Sequence, residues 1–585
     1  MDETPERLIF NVNRNTSAVP KGGRVVTIPS DDPVVELVLD TDDTSAAGAP
    51  KVERQVRQLG HLAPGAQPAD AFGTSLDWAY RCYKVVRPKN DGVFREYLYL
   101  FNVLVALEWQ PDRAYLEQLK TAFRRASDFL FDVTDGWMAL GQVVFGGPEL
   151  MQAADIQIVA STRMHPRSWV GGMHTHAEYR HDEKYMPIRL GRGLWNDNRR
   201  GVIPWEEPEG YRIIVHELGH HALKLTDEYL EIRQVLLPSN AGQAGAAEAP
   251  ATIVTLKIAT TTDSIMATTE GTSELVTGQW AKLRALYSHI PATQKPGHVR
   301  PGPRRLPAAL PRFRGLDGSA NLLNGASKAP SHVFPAWGES GLAAGQFQIP
   351  KDILLDRCWL YILKPGAATQ ALPQRLIAQG TLEARSAAAP FALLGAAAGD
   401  TVALCAERRD MAPVVLSATV PKKGQLKWRA ATPPAWPAVD IVPEPVAPNE
   451  PRARLRVRLT YATPPAPAEL PTQVGVFPLG QAPDDQAALL EGPYADGWIS
   501  APLDVPTLDG HVLLRWRDGS LLISTFSQGG DGPNSGSPYP ANPMNAGSAN
   551  GEALLFMHKN HADERAPNDV KVVTTIAHGL AGAPA

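Results

Sequence analysis

Residues 211–229 read YRIIVHELGHHALKLTDEY, and within them His216-Glu217-Leu218-Gly219-His220 has the HExxH spacing. On a helix, residues four apart project from one face a single turn apart, so both imidazoles reach one divalent ion. Glu217 follows the first histidine and lies beside the metal, where a carboxylate holds and deprotonates a water. With 15 histidines in 585 residues, about 0.02 such motifs arise by chance. Ile213, Ile214 and Val215 are apolar, as the start of a buried helix requires. Residues 205–210 supply a loop, a proline and acids, which suit the positive N-terminal end of a helix.

A catalytic zinc takes three protein ligands and keeps a position for water. The third ligand is sought downstream, where Asp227 and Glu228 stand. Along a straight helix Asp227 would lie about 16 Å from His216. It reaches the same ion only if the helix ends after His220 and the chain turns back. Asp227 is preferred, with Glu228 second, and a carboxylate oxygen is a suitable donor for Zn²⁺. Tyr229 either hydrogen-bonds a ligand or oxyanion or packs behind the site, and packing is preferred. His221 points about 100° away from the ligand face, which assigns it a supporting or surface role.

Further on, 262–268 read TDSIMAT. This segment resembles the Met-turn of metzincin zinc peptidases, with Met266 as the methionine beneath the metal site. The HELGH…LTDEY stretch is similar to the bacterial IgA-peptidase-type zincins. The matching residues are His216, Glu217, Gly219, His220, Leu225, Asp227, Glu228 and Tyr229. The resemblance implies a metzincin-like zincin domain, Zn²⁺ on His216, His220 and Asp227, and Glu217 as general base. It implies a zinc-dependent endopeptidase acting on protein or peptide substrates, and it says nothing about which substrate. Leu223 stands where metzincins carry a helix-ending glycine, and Thr226 stands at their usual ligand position. The turn here is one residue longer. A structural or binding protein on a zincin scaffold, and a zinc hydrolase of a non-peptide bond, are the competing readings.

Outward from this block, the fold class reads as multidomain α+β: a zincin domain flanked by β-sandwich-type domains. Residues 97–107 read as a strand and 112–131 as a helix, with Leu116, Leu119, Phe123, Ala126 and Phe129 on its apolar face. Strands follow at 137–145 and 156–160. The boundaries drawn are an N-terminal β domain at 1–85, the catalytic domain at 86–290, a Pro-rich linker at 291–315, a β domain at 316–430, a second Pro-rich linker at 431–452 and a C-terminal β-sandwich-like domain at 453–585. Short strand-like runs with regular turn signals support the β domains. Residues 238–251 between the motif and the Met-turn read as a surface loop, and Gly171–Gly172 as a flexible rim of the cleft. His174, His176 and His181 read as a polar loop near it.

The 49 glycines and 52 prolines exceed average usage and point to a loop-rich chain. A net charge of −4 offers no general attraction to nucleic acid or anionic membrane. No apolar run approaches the roughly 20 residues of a membrane span, and no leader is visible in the sequence as given, so export is expected to use either a non-classical route or a leader missing from it. Three distant cysteines, Cys82, Cys358 and Cys405, exclude a disulfide framework. One bridge between Cys358 and Cys405 competes with three buried free thiols, and the thiols are preferred. The β domains are expected to bind a glycan, the substrate or a secretion apparatus, and no motif chooses among these.

Overall fold

The computed structural model describes side chains chiefly within 97–173, 187–228, 264–294, 310–313, 351–366, 373–406, 414–439, 457–479 and 510–524, with strands elsewhere described as backbone. Few helices and several sheets make up these parts, a mixed α+β organisation. Strands β1 (Val25–Ile28), β2 (Val35–Leu39) and β3 (Tyr80–Lys89) lead antiparallel into β4 (Gly92–Leu107). Residues from the segment read as an N-terminal β domain thus join the sheet against which the motif-bearing helix packs. Helix α1 (Arg113–Val133) then crosses to β5 (Met138–Gly146), which runs parallel to β4. A parallel pair needs such a crossover, because a tight turn cannot reverse the chain twice. Strands β6 (Ile156–Ile158) and β7 (Ile188–Leu190) continue the parallel run on the other edge of β4. Arg312–Gly315, within the first Pro-rich stretch, adds a parallel strand beyond β5.

The middle of this sheet is covered on both faces, as parallel sheets require. Along β4 the side chains alternate. Tyr99, Phe101, Val103, Val105 and Leu107 share one buried cluster with α1 and with helix α2 (Pro208–His221), which carries the motif. Leu104 and Ala106 belong to a second cluster, together with Trp359, Tyr361 and Cys405 from the next β region. Period-two alternation turns one apolar strand into the common wall of two cores. All five expected apolar positions of α1 are buried. Asp112 caps this helix, its Oδ1 accepting the Tyr115 N–H at 2.8 Å. None of the helices among the described residues is long and apolar enough to cross a membrane.

Beyond the sheet, a five-stranded antiparallel sheet is built from Ile353–Lys364, Arg375–Thr381, Thr401–Arg408, Met411–Thr419 and Arg429–Ala430. Thr162 Oγ1 donates to the Thr381 carbonyl at 2.9 Å, and Arg375 Nη2 to the Glu108 carbonyl at 2.9 Å. These bonds tie the sheet to the motif-bearing region. Trp359 lies opposite Cys405 and Cys358 opposite Ala406, so the two thiols occupy opposite faces and no bridge joins them. Cys82 has no described side chain. Two four-stranded antiparallel sheets follow between 438 and 527. Within the second Pro-rich stretch, Ala438–Glu444 forms an edge strand on Ala453–Thr460, where Pro443 is tolerated.

Candidate metal centre

Helix α2 starts with Pro208 in its first turn and Glu209 beside it, and its inner face buries Ile214, Val215 and Leu218. His216 and His220 emerge one turn apart, with ring planes at 89° and Nε2 atoms 3.2 Å from each other. The helix ends at His221. Its last carbonyls are all engaged, although helix ends normally leave four of them open. The Gly219 carbonyl accepts from Leu225 N–H, His220 from Gly171 N–H, and His221 from Met173 N–H. The Ala222 carbonyl accepts the Tyr287 hydroxyl at 2.7 Å. Gly171 is buried with φ of +77°, and its N–H bond to the His220 carbonyl ties it to the helix end. Gly172 lies outside the described side chains.

The chain reverses at Lys224, whose φ is +55°. The reversal falls one residue after the position where metzincins place glycine, which matches the longer turn. Asp227 then comes back under the helix. Its Oδ1 lies 3.2 Å from His216 Nε2 and 3.2 Å from His220 Nε2. Three donor atoms therefore form a triangle with all edges at 3.2 Å. Zinc–donor bonds of about 2.0 Å in tetrahedral geometry space the donors about 3.3 Å apart, so the triangle fits such an ion. These three residues form the one such metal-competent group among the described residues.

The imidazoles are preset for ligation. His216 Nδ1 lies 2.9 Å from the Ile265 carbonyl and His220 Nδ1 lies 2.7 Å from the Leu225 carbonyl. A carbonyl only accepts, so each Nδ1 carries a proton and each Nε2 is the nitrogen left to take a metal, which at His220 displaces the proton shared with Asp227. Burial pushes the Asp227 carboxyl up, but the facing imidazoles of His220 and His216 outweigh it and hold it well below the usual range. Burial likewise pulls His220 down, yet the Asp227 charge, with Glu217 adding to it, pushes it up to about 9. The site thus concentrates negative charge where a cation fits.

Glu217 is buried on α2 beside the triangle. Met266 lies beneath it: a Cβ on Gly219 would sit 2.7 Å from Met266 Sδ, so only glycine permits this approach. Glu228 stands outside the donor group, half-buried, and its N–H donates to the Met266 carbonyl at 2.9 Å. Thr226 is buried. Tyr229 opens a strand, Tyr229–Leu236, hairpinned with Thr252–Ala259, and its side chain lies outside the described residues. So do the 238–251 loop and His174, His176 and His181. His221 has no surface role: it is fully buried, its Nε2 3.9 Å from Asp155 Oδ1. Asp155 in turn accepts the Leu104 N–H at 2.6 Å, which ties the helix end to β4.

Several supporting groups carried no local signal. Tyr287, Gly171, Met173 and the Ile265 and Leu225 carbonyls act through contacts that motif spacing does not encode. Set against known protein families, curated proteins and solved structures, the chain matches none.

Proposed function

We propose that the chain is a zinc-dependent endopeptidase with a metzincin-like catalytic domain. The observation that carries this reading is the donor triangle of His216, His220 and Asp227, with both Nδ1 atoms tied to carbonyls. These three residues would hold Zn²⁺, two nitrogens and one oxygen suiting that ion. When bound, zinc supplies a Lewis acid that acidifies water and polarises a carbonyl. Glu217 takes the proton of the attacking water and delivers it to the leaving amine, as general base and then general acid. Burial of Glu217 keeps bulk water from competing for that proton. The substrate is a protein or peptide.

The test is a peptide-library digest of the purified chain with zinc, with chelator, and with Glu217→Gln. Cleavage is expected with zinc and lost with chelator. Glu217→Gln should retain stoichiometric zinc while turnover falls by about 10²–10⁴-fold. Stoichiometric zinc with no cleavage of any peptide would move the reading to a zincin scaffold or to a non-peptide bond.

A further inference from the structure

We propose that Gln279 and Ser264 are positioning residues for His216, acting through the peptide unit between Ile265 and Met266. The inference rests on the metal-centre reading above. Gln279 lies in the first turn of α3 (Thr277–Leu286) and is almost fully buried. Its Oε1 accepts the Val276 N–H at 2.9 Å and the Ser264 hydroxyl at 2.9 Å. Because Val276 N–H can only donate, the amide oxygen must face this pair. Ser264 Oγ, having donated its proton, accepts the Met266 N–H at 3.0 Å. Every proton in this chain therefore has one direction.

The geometry of the peptide bond carries the effect onward. Met266 N–H and Ile265 C=O belong to one planar trans unit and point in opposite directions. Holding the N–H on Ser264 aims the carbonyl the other way, at His216 Nδ1, 2.9 Å distant. That carbonyl sets both the tautomer and the rotation of the first imidazole. Ser264, Ile265 and Met266 are wholly buried, so no bulk water replaces a lost partner. Gln279 Nε2 has no hydrogen-bond partner among the described residues. The side chain is thus held for its oxygen. A residue kept only to fill space would be better served by methionine.

The experiment uses the full chain and two metals. Zinc affinity is measured by competition with a chromophoric chelator, and Co²⁺ is loaded for its visible d–d bands, which report the ligand field. Ser264→Ala deletes one oxygen and should weaken zinc binding about 10- to 100-fold and move the Co²⁺ bands. Gln279→Met should act in the same direction. Because the two residues act in series, the double variant should bind no more weakly than the worse single variant. Wild-type-like affinity and Co²⁺ bands in Ser264→Ala would overturn the inference while leaving the metal centre intact, as would fully additive losses. If Gln279→Met does not fold, Ser264→Ala alone decides. A wild-type chain that takes up neither metal would instead overturn the metal-centre reading, and this inference with it.

Discussion

His220 and His511 are both almost wholly removed from solvent, yet their surroundings drive them in opposite directions. His511 lies in the strand Asp509–Arg515, in an apolar cluster edge-on to Tyr361, and burial alone pulls it down to about 3. Burial pulls His220 down as well, but the Asp227 carboxylate reverses the effect and takes it up to about 9. Desolvation is common to both; at His220 the charge and hydrogen bond of Asp227, the Glu217 charge and the Leu225 carbonyl oppose it. The β region thus buries a neutral imidazole, whereas α2 and the turn after it gather two imidazoles and a carboxylate at considerable desolvation cost. Such a gathering of buried charge marks a candidate metal site.

Removing the anion breaks this comparison with the largest effect. Asp227→Ala takes one vertex from the donor triangle. Supporting residues around metal sites cost 10- to 100-fold in affinity, so a direct ligand should cost at least about 10³-fold, or about 4 kcal/mol. Glu228→Ala touches no vertex and should stay within about threefold. Zinc content after dialysis against a graded chelator series measures both. Equal losses in the two variants would mean that the carboxylates share the ligand role.

The other half of the comparison is tested by acid. The folded pKa of His511 lies below the ordinary value of 6.5, so the unfolded chain binds its proton first as pH falls. Its contribution is complete above about pH 6.5 and is lost progressively down to about 3. Between pH 7 and pH 4 this amounts to on the order of 3 kcal/mol. His511→Leu should remove that part of the acid sensitivity, seen as a smaller fall in urea midpoint between the two pH values. An unchanged fall would show that His511 gains a proton without unfolding its sheet.

Much of this contrast was legible in residue order, for physical reasons that differ between elements. The HExxH pair is a local property of one helix turn, and Pro208 with Glu209 marks where that helix begins. The apolar face of α1 follows the helical period, so the sequence alone marks Leu116, Leu119, Phe123, Ala126 and Phe129 as its inward face. The run of β4 announced a buried strand, but not that its alternate residues serve two different cores. The relay from Gln279 to His216 spans 63 residues of chain and depends on a peptide plane, which no spacing rule encodes. Tyr287 reaches the Ala222 carbonyl over 65 residues for the same reason. The turn to Asp227 was readable in its necessity, since the helix had to end, but not in its position.

That turn gives the smallest and most local test. Lys224 holds a positive φ of 55°, a region that costs a residue with a Cβ about 1 kcal/mol or more relative to glycine. Lys224→Gly removes that cost but adds freedom to the unfolded chain, which offsets roughly 0.4–1 kcal/mol. The net expectation is a gain of about 0.5 kcal/mol, or a rise in Tm of roughly 1–2 °C in the metal-free chain. Calorimetry of wild type and variant decides the sign. A clear loss of stability would mean that the lysine side chain contributes more than its backbone costs, and that the missing glycine was replaced by an interaction. A small gain would show that the longer turn bears strain in order to bring Asp227 beneath His216 and His220.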